Sequence, residues 1–365
     1  MRRAAGIAKP YVLAAFVVKR VVWAFALAFL ISFITFVLFF IVPDQAKVAT
    51  NSNADQLVSL ARQYDVEGQS IFEQYGHFMW RFLAHGDLGK SFSTGLPVMQ
   101  QLVSALPVTI GLVIGGTILW LIIAFPIGIL SALRPRSLLD RFGMVFVLIG
   151  VSAHPVWIGL LLSYVFGFKL GITPIAGYCD FFNPVLQCGG AADWFYHMLL
   201  PWLAFSLLFA ALYTRMIRAM VLETMQEDYV RTARAKGASS ARVIRSHVLR
   251  NSMLPIVTMI GMDVGVAFAG ALFIETVFDL PGVGRMLYTA ATRIDLPVIM
   301  GIFFVVSIAV VIANMIADVV CMLLDPRMHA SRAGSYKARR SWLRPSDGRA
   351  TPPRPAQSAS ATAPR

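Results

Sequence analysis

Residues 224–255 read TMQEDYVRTARAKGASSARVIRSHVLRNSMLP, a polar and basic segment that separates two long apolar runs. Thr224 and Glu227 have the spacing of a capping box, which favours a helix start at this point. Residues 228–236 fit one short helix, and Gly237 can supply the left-handed turn that ends it. A second helix is expected to begin near Ser239 or Ser240 and to run to Pro255. The segment therefore predicts a helix–glycine–helix elbow that projects from the apolar part of the chain.

Apolar runs dominate the sequence on both sides of this elbow. Of the 365 residues, 57% are hydrophobic and 14% are charged, and the mean hydropathy is +0.68. This composition excludes a soluble or nucleic-acid-binding domain, although the net charge is +13. A spanning helix needs about 20 mainly apolar residues. Six runs qualify, at 21–42, 107–133, 142–168, 194–217, 253–273 and 297–324. The sequence therefore predicts an all-α membrane protein with six transmembrane helices.

The Lys and Arg residues indicate which side of the membrane each connection occupies. Placing both termini and the second and fourth connections on one side leaves few of the 32 basic residues opposite: Lys47, Arg62, Arg81, Lys90, Lys169, Arg285 and Arg293. The positive-inside rule assigns the richer side to the cytoplasm. The prediction is an N-in, C-in protein of the cytoplasmic membrane.

This topology divides the chain into five segments. Residues 1–20 form a cytoplasmic N-terminus and 21–42 the first span. Residues 43–106 form a long external loop, expected to carry short helices on the membrane surface. Residues 107–327 contain five spans and the connecting loop 218–252, and the Arg-, Ala- and Pro-rich residues 328–365 are expected to be a disordered cytoplasmic tail.

Several motifs together resemble a known family. Residues 228–237, DYVRTARAKG, followed by HVLRN at 247–251 and by Pro255, resemble the cytoplasmic coupling loop of binding-protein-dependent ABC importers. Arg231, Thr232 and Ala233 stand where the general motif has Glu-Ala-Ala, a variant typical of the dipeptide, oligopeptide and nickel branch. GDLG at 86–89, ETVF at 275–278, PGVGR at 281–285 and LDPR at 324–327 fit the same type of subunit. The resemblance implies the type I permease fold of these importers.

The resemblance also implies a division of labour between subunits. The elbow would couple this chain to a cytoplasmic ATPase through residues Asp228, Tyr229, Arg231, Ala233, Arg234, Ala235, Lys236 and Gly237. Two ATPase subunits would hold ATP and Mg²⁺, and this chain would bind no cofactor and catalyse no reaction itself. A second, distinct permease and an external substrate-binding protein would complete the importer in the lipid bilayer, with no nucleic acid. The alternative is that the basic loop only fixes membrane topology.

Three polar residues in the apolar runs are candidates for the translocation pathway. A carboxylate inside a membrane is costly, so Asp263 and Asp318 are expected to face protein or a water-filled route. Asn314 lies four residues before Asp318 and would share its helix face. The alternative is that these side chains hydrogen-bond between helices and fix their packing.

Other features predict local structure. His154-Pro155 and Pro126 are expected to interrupt the third and second spans, and His154 is interpreted as a packing residue. The glycine pairs Gly111/Gly115 and Gly261/Gly265 favour close helix contact.

The cysteines and a glycine-lysine-serine string are candidates for a disulfide, a metal site or a nucleotide site. Cys179 and Cys188 fall in an external loop, where a disulfide persists, and Cys321 is interpreted as an apolar filler. Gly89-Lys90-Ser91 ends like a phosphate-binding loop, but Ala84 occupies the position of the required glycine. No metal site and no nucleotide site is predicted.

The function implied is the permease subunit of an ATP-driven importer of di- or oligopeptides. A nickel chelate or another small solute is the alternative cargo. An ion-driven secondary transporter is the rival from another class, in which Asp263 and Asp318 would be coupling groups.

Overall fold

The computed structural model describes residues 10–37, 71–181 and 188–324. In these ranges the regular structure is mainly helical, and an isolated antiparallel bridge joins Lys90 and Pro97. The helices in chain order are α1 (Pro10–Phe36), α2 (Ile71–His85), α3 (Val98–Leu133), α4 (Leu138–Ser152), α5 (Pro155–Leu162, continued by a π-helix, Ser163–Lys169), α6 (Ala191–Gln226), α7 (Asp228–Ala235), α8 (Ser240–Val243, continued by a π-helix, Ile244–Val248), α9 (Leu249–Val277), α10 (Val283–Thr292) and α11 (Leu296–Leu324).

Three of the described helices, α3, α6 and α11, are long and apolar enough to cross a membrane. Two bent helix pairs raise the number to as many as five: Leu138–Ser152 with Pro155–Lys169, and Ser240–Gly261 with Gly265–Val277. The apolar part of α1, Val21–Phe36, is shorter. The helical membrane architecture is confirmed, and the sixth span and the N-in, C-in orientation stay predictions.

The centre of the fold is the contact between α3 and α6. Trp202 of α6 lies directly over Gly115, where an added Cβ would meet the indole at 2.1 Å, and its indole N–H donates to the Gly111 carbonyl oxygen at 3.0 Å. Trp120 of α3 stacks on Phe209 with a ring-centroid separation of 4.5 Å. The first glycine pair therefore serves close packing, as predicted, and Gly265 of the second lies against Val310 of α11.

The third predicted span is broken where the sequence suggested. Its two halves are α4 and the α5 segment, and the chain bends by 106° at the break between Ser152 and Pro155. His154 caps α5 by accepting from the Val156 N–H at 3.3 Å, and its ring packs edge-on against Phe273. The interruption expected at Pro126 is wrong, because α3 continues through this residue from Val98 to Leu133.

A second apolar cluster joins α1, α2, α10 and α11 to the start of α3. Phe36, Tyr75, Phe78 and Phe304 pack ring against ring in this cluster. Val98 and Leu102 are fully buried against it, which explains why α3 begins at Val98 rather than at the predicted 107. The predicted loop 43–106 therefore contains one described helix, α2, and the first turns of α3. Its residues 43–70 and the tail 328–365 lie outside the described ranges.

Candidate coupling elbow and intramembrane carboxylates

The elbow predicted from residues 224–255 is present. Helix α7 covers Asp228–Ala235 and is followed by two backbone hydrogen bonds that close its C-terminal end. The Ala238 N–H donates to the Ala233 carbonyl oxygen at 3.2 Å, and the Gly237 N–H donates to the Arg234 carbonyl oxygen at 3.0 Å. This pair is a Schellman motif, which needs a left-handed residue at its centre. Gly237 supplies it, with φ of 78°.

The capping box predicted at Thr224 is wrong. Thr224 lies inside α6, where its hydroxyl donates to the Met220 carbonyl oxygen at 2.7 Å. The chain leaves α6 at Glu227, whose backbone is extended and whose side chain makes no capping bond. The hydroxyl bonds within its own longer helix, so the short pattern did not mark a helix start.

The inner side of the elbow is anchored in the main core. Val230 of α7, Val243 of α8 and Val248 are all fully buried. Ala233 is half-buried and packs against the same cluster. Tyr229 accepts a hydrogen bond from the Asn251 side-chain amide at 2.9 Å, which ties α7 to the start of α9. These contacts fix the orientation of α7 relative to the long helices.

The outer side of the elbow is exposed and basic. The exposed residues of 228–237 are Asp228, Tyr229, Arg231, Thr232, Arg234, Ala235, Lys236 and Gly237. Arg231 lies 3.9 Å from Asp228, in an ion pair that solvent screens. Ala235 is exposed, whereas Ala233 is half-buried against the core, and the coupling roles of both alanines stay predictions.

An ion pair that sequence reasoning missed joins α4 to α6. Arg218 donates to the Asp140 carboxylate through Nε at 2.7 Å and through Nη2 at 2.9 Å. Asp140 is buried, and it also accepts from the Arg136 N–H at 2.9 Å. The two residues are 78 positions apart, so only the fold brings them together. The pair fixes α4 to α6 near the end of α6 that leads into α7.

The intramembrane residues singled out from the sequence lie on α9 and α11. Tyr213 of α6 donates to Asp263 of α9 at 2.6 Å, which is the interhelical hydrogen bond considered as an alternative. Asn314 is half-buried on α11. Asp318 belongs to α11, but its side chain lies outside the described part of the chain, so the stripe proposed with Asn314 stays a prediction.

Two further carboxylates hold the loops at the opposite end of the bundle. Glu275 is fully buried at the end of α9, and its Oε2 accepts from Gly284 N–H at 2.7 Å and from Arg285 N–H at 3.2 Å. Gly282 passes so close that an added Cβ would lie 2.3 Å from the Glu275 carboxylate. The resemblance had singled out ETVF and PGVGR, and this contact joins the two motifs.

Asp295 holds the loop that contains the glycine-lysine-serine string. It is buried just before α11 and accepts from the hydroxyls of Ser91 at 2.6 Å and Ser93 at 2.7 Å, and from the N–H groups of Phe92 and Ser93. Burial opposes ionisation of Asp295, but these hydrogen bonds outweigh it and hold its pKa below the ordinary value. We call this set of hydrogen bonds between Asp295 and residues 91–93 the Asp295 clasp. Ser91, the last residue of the glycine-lysine-serine string, belongs to it.

Cys179 and Cys188 are joined by a disulfide, with their Cα atoms 5.3 Å apart. His197 of α6 lies beside them, with Nδ1 3.2 Å from the Cys179 sulfur. The three side chains are close enough to hold a metal ion if the sulfurs were free thiols. A bonded pair offers no thiolate, so the oxidised loop is not a metal site. The side chain of Cys321 lies outside the described residues.

Comparison with known proteins assigns the chain to a family. Residues 124–330 match the family described as the inner membrane component of binding-protein-dependent transport systems, and residues 13–113 match the N-terminal part of such membrane components. The dipeptide transport system permease protein DppB of Escherichia coli (strain K12) is 34% identical over 275 residues, which cover 71% of this chain and 81% of that protein. The di/tripeptide permease protein DppB of Pseudomonas aeruginosa is 33% identical over 276 residues, 72% and 82% of the two chains. The glutathione transport system permease protein GsiC of Escherichia coli O6:H1 is 32% identical over 313 residues, 85% and 97% of the two chains. The chain therefore belongs to the inner-membrane permeases of binding-protein-dependent ABC importers, and is a multi-pass transport subunit rather than an enzyme.

Proposed function

We propose that this permease imports di- or oligopeptides and that the exposed side of α7 receives the movement of a cytoplasmic ATPase. The cargo is inferred from relatives that are named as dipeptide, di/tripeptide and glutathione permeases. The coupling role is inferred from the elbow itself.

One observation carries the coupling role: α7 has an anchored inner side and a free, basic outer side. Val230 is fully buried, whereas Arg231, Arg234 and Lys236 are exposed. A loop that only fixed membrane topology would need the charges but not the buried valine or the Schellman turn. A firmly held helix with an open face transmits force from a docked partner to α6 and α9.

The same proposal includes the rest of the assembly. A second homologous permease of distinct sequence pairs with this chain, two ATPase subunits carry ATP and Mg²⁺, and an external binding protein delivers the peptide. Both termini lie in the cytoplasm, and six spans include α1. Asp263, Asn314 and Asp318 are the candidates to line the route.

The disulfide fits this orientation. Cys179 and Cys188 lie in the loop before α6, at the end of that helix opposite the elbow. A cytoplasmic elbow therefore places the cysteines outside the cytoplasm, where a disulfide persists.

The test is uptake of a labelled dipeptide into vesicles that contain the complete importer, with and without internal ATP. ATP-dependent uptake that unlabelled peptide blocks supports the proposal. If a nickel chelate competes and unlabelled peptide does not, the proposed cargo must be changed, but the protein is still an ATP-driven importer subunit. Uptake that ignores ATP and collapses with the proton gradient contradicts the proposal and favours an ion-driven transporter.

The coupling role has its own variants. Ala235→Asp places a carboxylate on the exposed side of α7, whereas Ala192→Asp makes the same substitution at an exposed position at the opposite end of α6 and serves as the matched control. We expect Ala235→Asp to reduce ATP-driven uptake while the chain still inserts and still forms the bundle, because α7 lies outside the spans. Full uptake by Ala235→Asp would contradict docking at this surface.

A further inference from the structure

Asp263 has an unusual position among the acidic residues of the described spans. The two halves of its helix, Ser240–Gly261 and Gly265–Val277, are bent by 60°, and Asp263 lies at the bend between them. Its Oδ2 accepts the Tyr213 hydroxyl hydrogen at 2.6 Å. The Tyr213 side chain is fully buried, but Asp263 is only partly buried. One side of this carboxylate is therefore enclosed and another is open.

Two other acidic side chains of the bundle have different partners. Asp140 is paired with the Arg218 guanidinium, and Glu275 accepts from backbone N–H groups through Oε2, while its Oε1 is buried without a hydrogen-bond partner among the described residues. For Asp263, the partner recorded within the described chain is one neutral phenol, on one of its two oxygens. Among the described residues, no partner is found for the Oδ1 atom.

Lipid is not that partner. A carboxylate facing hydrocarbon costs several kcal/mol, so charged groups within spans face a polar route or another protein surface. The open side of Asp263 therefore faces either another protein surface or a polar route, and only the route is a space that a passing solute can occupy. A carboxylate in such a space attracts cations and repels anions.

Tyr213 sets the direction in which the carboxylate points. Its ring belongs to an aromatic group on α3 and α6, with the Trp120 ring centroid 5.8 Å away, and Trp120 stacks in turn on Phe209. A phenol held by large buried rings cannot follow the carboxylate if it turns. The hydrogen bond therefore directs Oδ1 away from the aromatic group.

We propose that Asp263 is a transient binding site for the ammonium group of the transported peptide, and that Tyr213 is a positioning residue for it. This inference rests on the proposed function, because it takes peptides as the cargo. A free dipeptide always carries an α-ammonium group, whatever its side chains. One carboxylate at the bend of α9 could therefore serve peptides of varied sequence.

Two variants separate this role from a purely structural one. Asp263→Asn removes the charge but keeps an oxygen that accepts from Tyr213, whereas Tyr213→Phe removes the hydrogen bond and keeps the charge. The experiment uses the complete importer in vesicles, with its binding protein saturated with labelled alanyl-alanine. It measures ATP-driven uptake and, in parallel, the ATP hydrolysis that the loaded binding protein stimulates.

The proposal predicts an asymmetric result. Uptake should fall about tenfold or more in Asp263→Asn, because a hydrogen bond to a charged group is stronger than a neutral one. It should fall no more than about threefold in Tyr213→Phe, because this variant keeps the charge that attracts the ammonium group and loses only the hydrogen bond that positions the carboxylate. Asp263→Glu should recover part of the loss, and stimulated ATP hydrolysis should persist in all three variants.

The remaining outcomes overturn the proposal in distinguishable ways. Normal uptake by Asp263→Asn means that the charge does not contact the cargo. A larger loss in Tyr213→Phe than in Asp263→Asn means that the pair is a structural link between α6 and α9. Loss of stimulated ATP hydrolysis with uptake in Asp263→Asn means that the carboxylate holds the assembly together. If the unaltered importer takes up no peptide, it is the proposed function that fails.

Discussion

The two ends of the bundle hold their buried carboxylates by different means. At the end that leads into the elbow, Asp140 is neutralised by the Arg218 side chain. At the other end, the recorded partners of Glu275 and Asp295 are backbone N–H groups and hydroxyls. An ion pair depends on two side chains, whereas the second arrangement depends on the conformation of a loop. The elbow end should therefore be sensitive to charge, and the opposite end to backbone shape.

The strongest test of this contrast breaks the ion pair. Arg218→Met leaves the Asp140 carboxylate buried without its cation, and such a loss costs about 3 kcal/mol or more. We expect a clear drop in the thermal unfolding midpoint of the purified permease in detergent. Adding Asp140→Leu to the same chain should restore most of the loss, because an apolar pair avoids burying a charge. A double variant as unstable as the single one would show that the arginine acts through other contacts.

A smaller effect is expected when Glu275 is shortened. Glu275→Ala leaves the Gly284 and Arg285 N–H groups without their acceptor, at a cost of about 1–3 kcal/mol for the unsatisfied donors. Glu275→Gln keeps an accepting oxygen and is the matched control, with a milder effect. If the two variants lose stability equally, the negative charge matters more than the hydrogen bonds, and the contrast between the two ends weakens.

The Asp295 clasp should respond to acid in a defined direction. Its pKa is lowered in the folded chain, so its stabilising contribution is fully present above the ordinary Asp value near ~4 and is lost as the pH falls through the lowered value. We expect Asp295→Asn to be less stable than the unaltered chain by about 1 kcal/mol between roughly pH 5 and 8, with the difference narrowing below about pH 4. A difference that instead grew in acid would mean that the pKa is raised.

The smallest predicted change in stability is at the elbow. Gly237→Ala places a side chain at φ of 78°, in open space, so only the backbone strain counts, at about 1 kcal/mol. Gly171, with φ of 61° and equally open surroundings, is the matched control outside the elbow. Both variants should lose similar stability, but only Gly237→Ala should lower ATP-driven uptake. Equal uptake by the two would separate the Schellman turn from coupling.

The elbow could be predicted from the sequence because its signals are local. The helix over Asp228–Ala235, the left-handed Gly237 and the restart at Ser240 each depend on a few neighbouring residues. Thr224 misled for the same reason, since its local spacing matched a cap while the longer helix α6 used its hydroxyl internally. The helical membrane architecture was equally predictable, because apolar length is a composition signal, whereas the sixth span stays a prediction.

The carboxylate partners were beyond such reasoning. Ser91 and Asp295 are separated by 204 positions, and Tyr213 and Asp263 by 50. The position of Asp263 in an apolar run is enough to mark its carboxylate as costly in a membrane. The hydrogen-bond partner of Asp263 depends on which faces of α6 and α9 are in contact. No local sequence pattern predicts which faces these are.

Helix α6 spans 36 residues without interruption. At about 1.5 Å per residue it measures roughly 54 Å, whereas the hydrocarbon core of a bilayer is about 30 Å thick. One continuous helix thus reaches from the disulfide loop to the elbow and extends well beyond the bilayer. A displacement of α7 would be transmitted through the backbone hydrogen bonds of α6 to His197, which lies beside Cys179. The disulfide loop and the elbow therefore lie at the two ends of one helix, and a kink introduced midway in α6 would separate them mechanically.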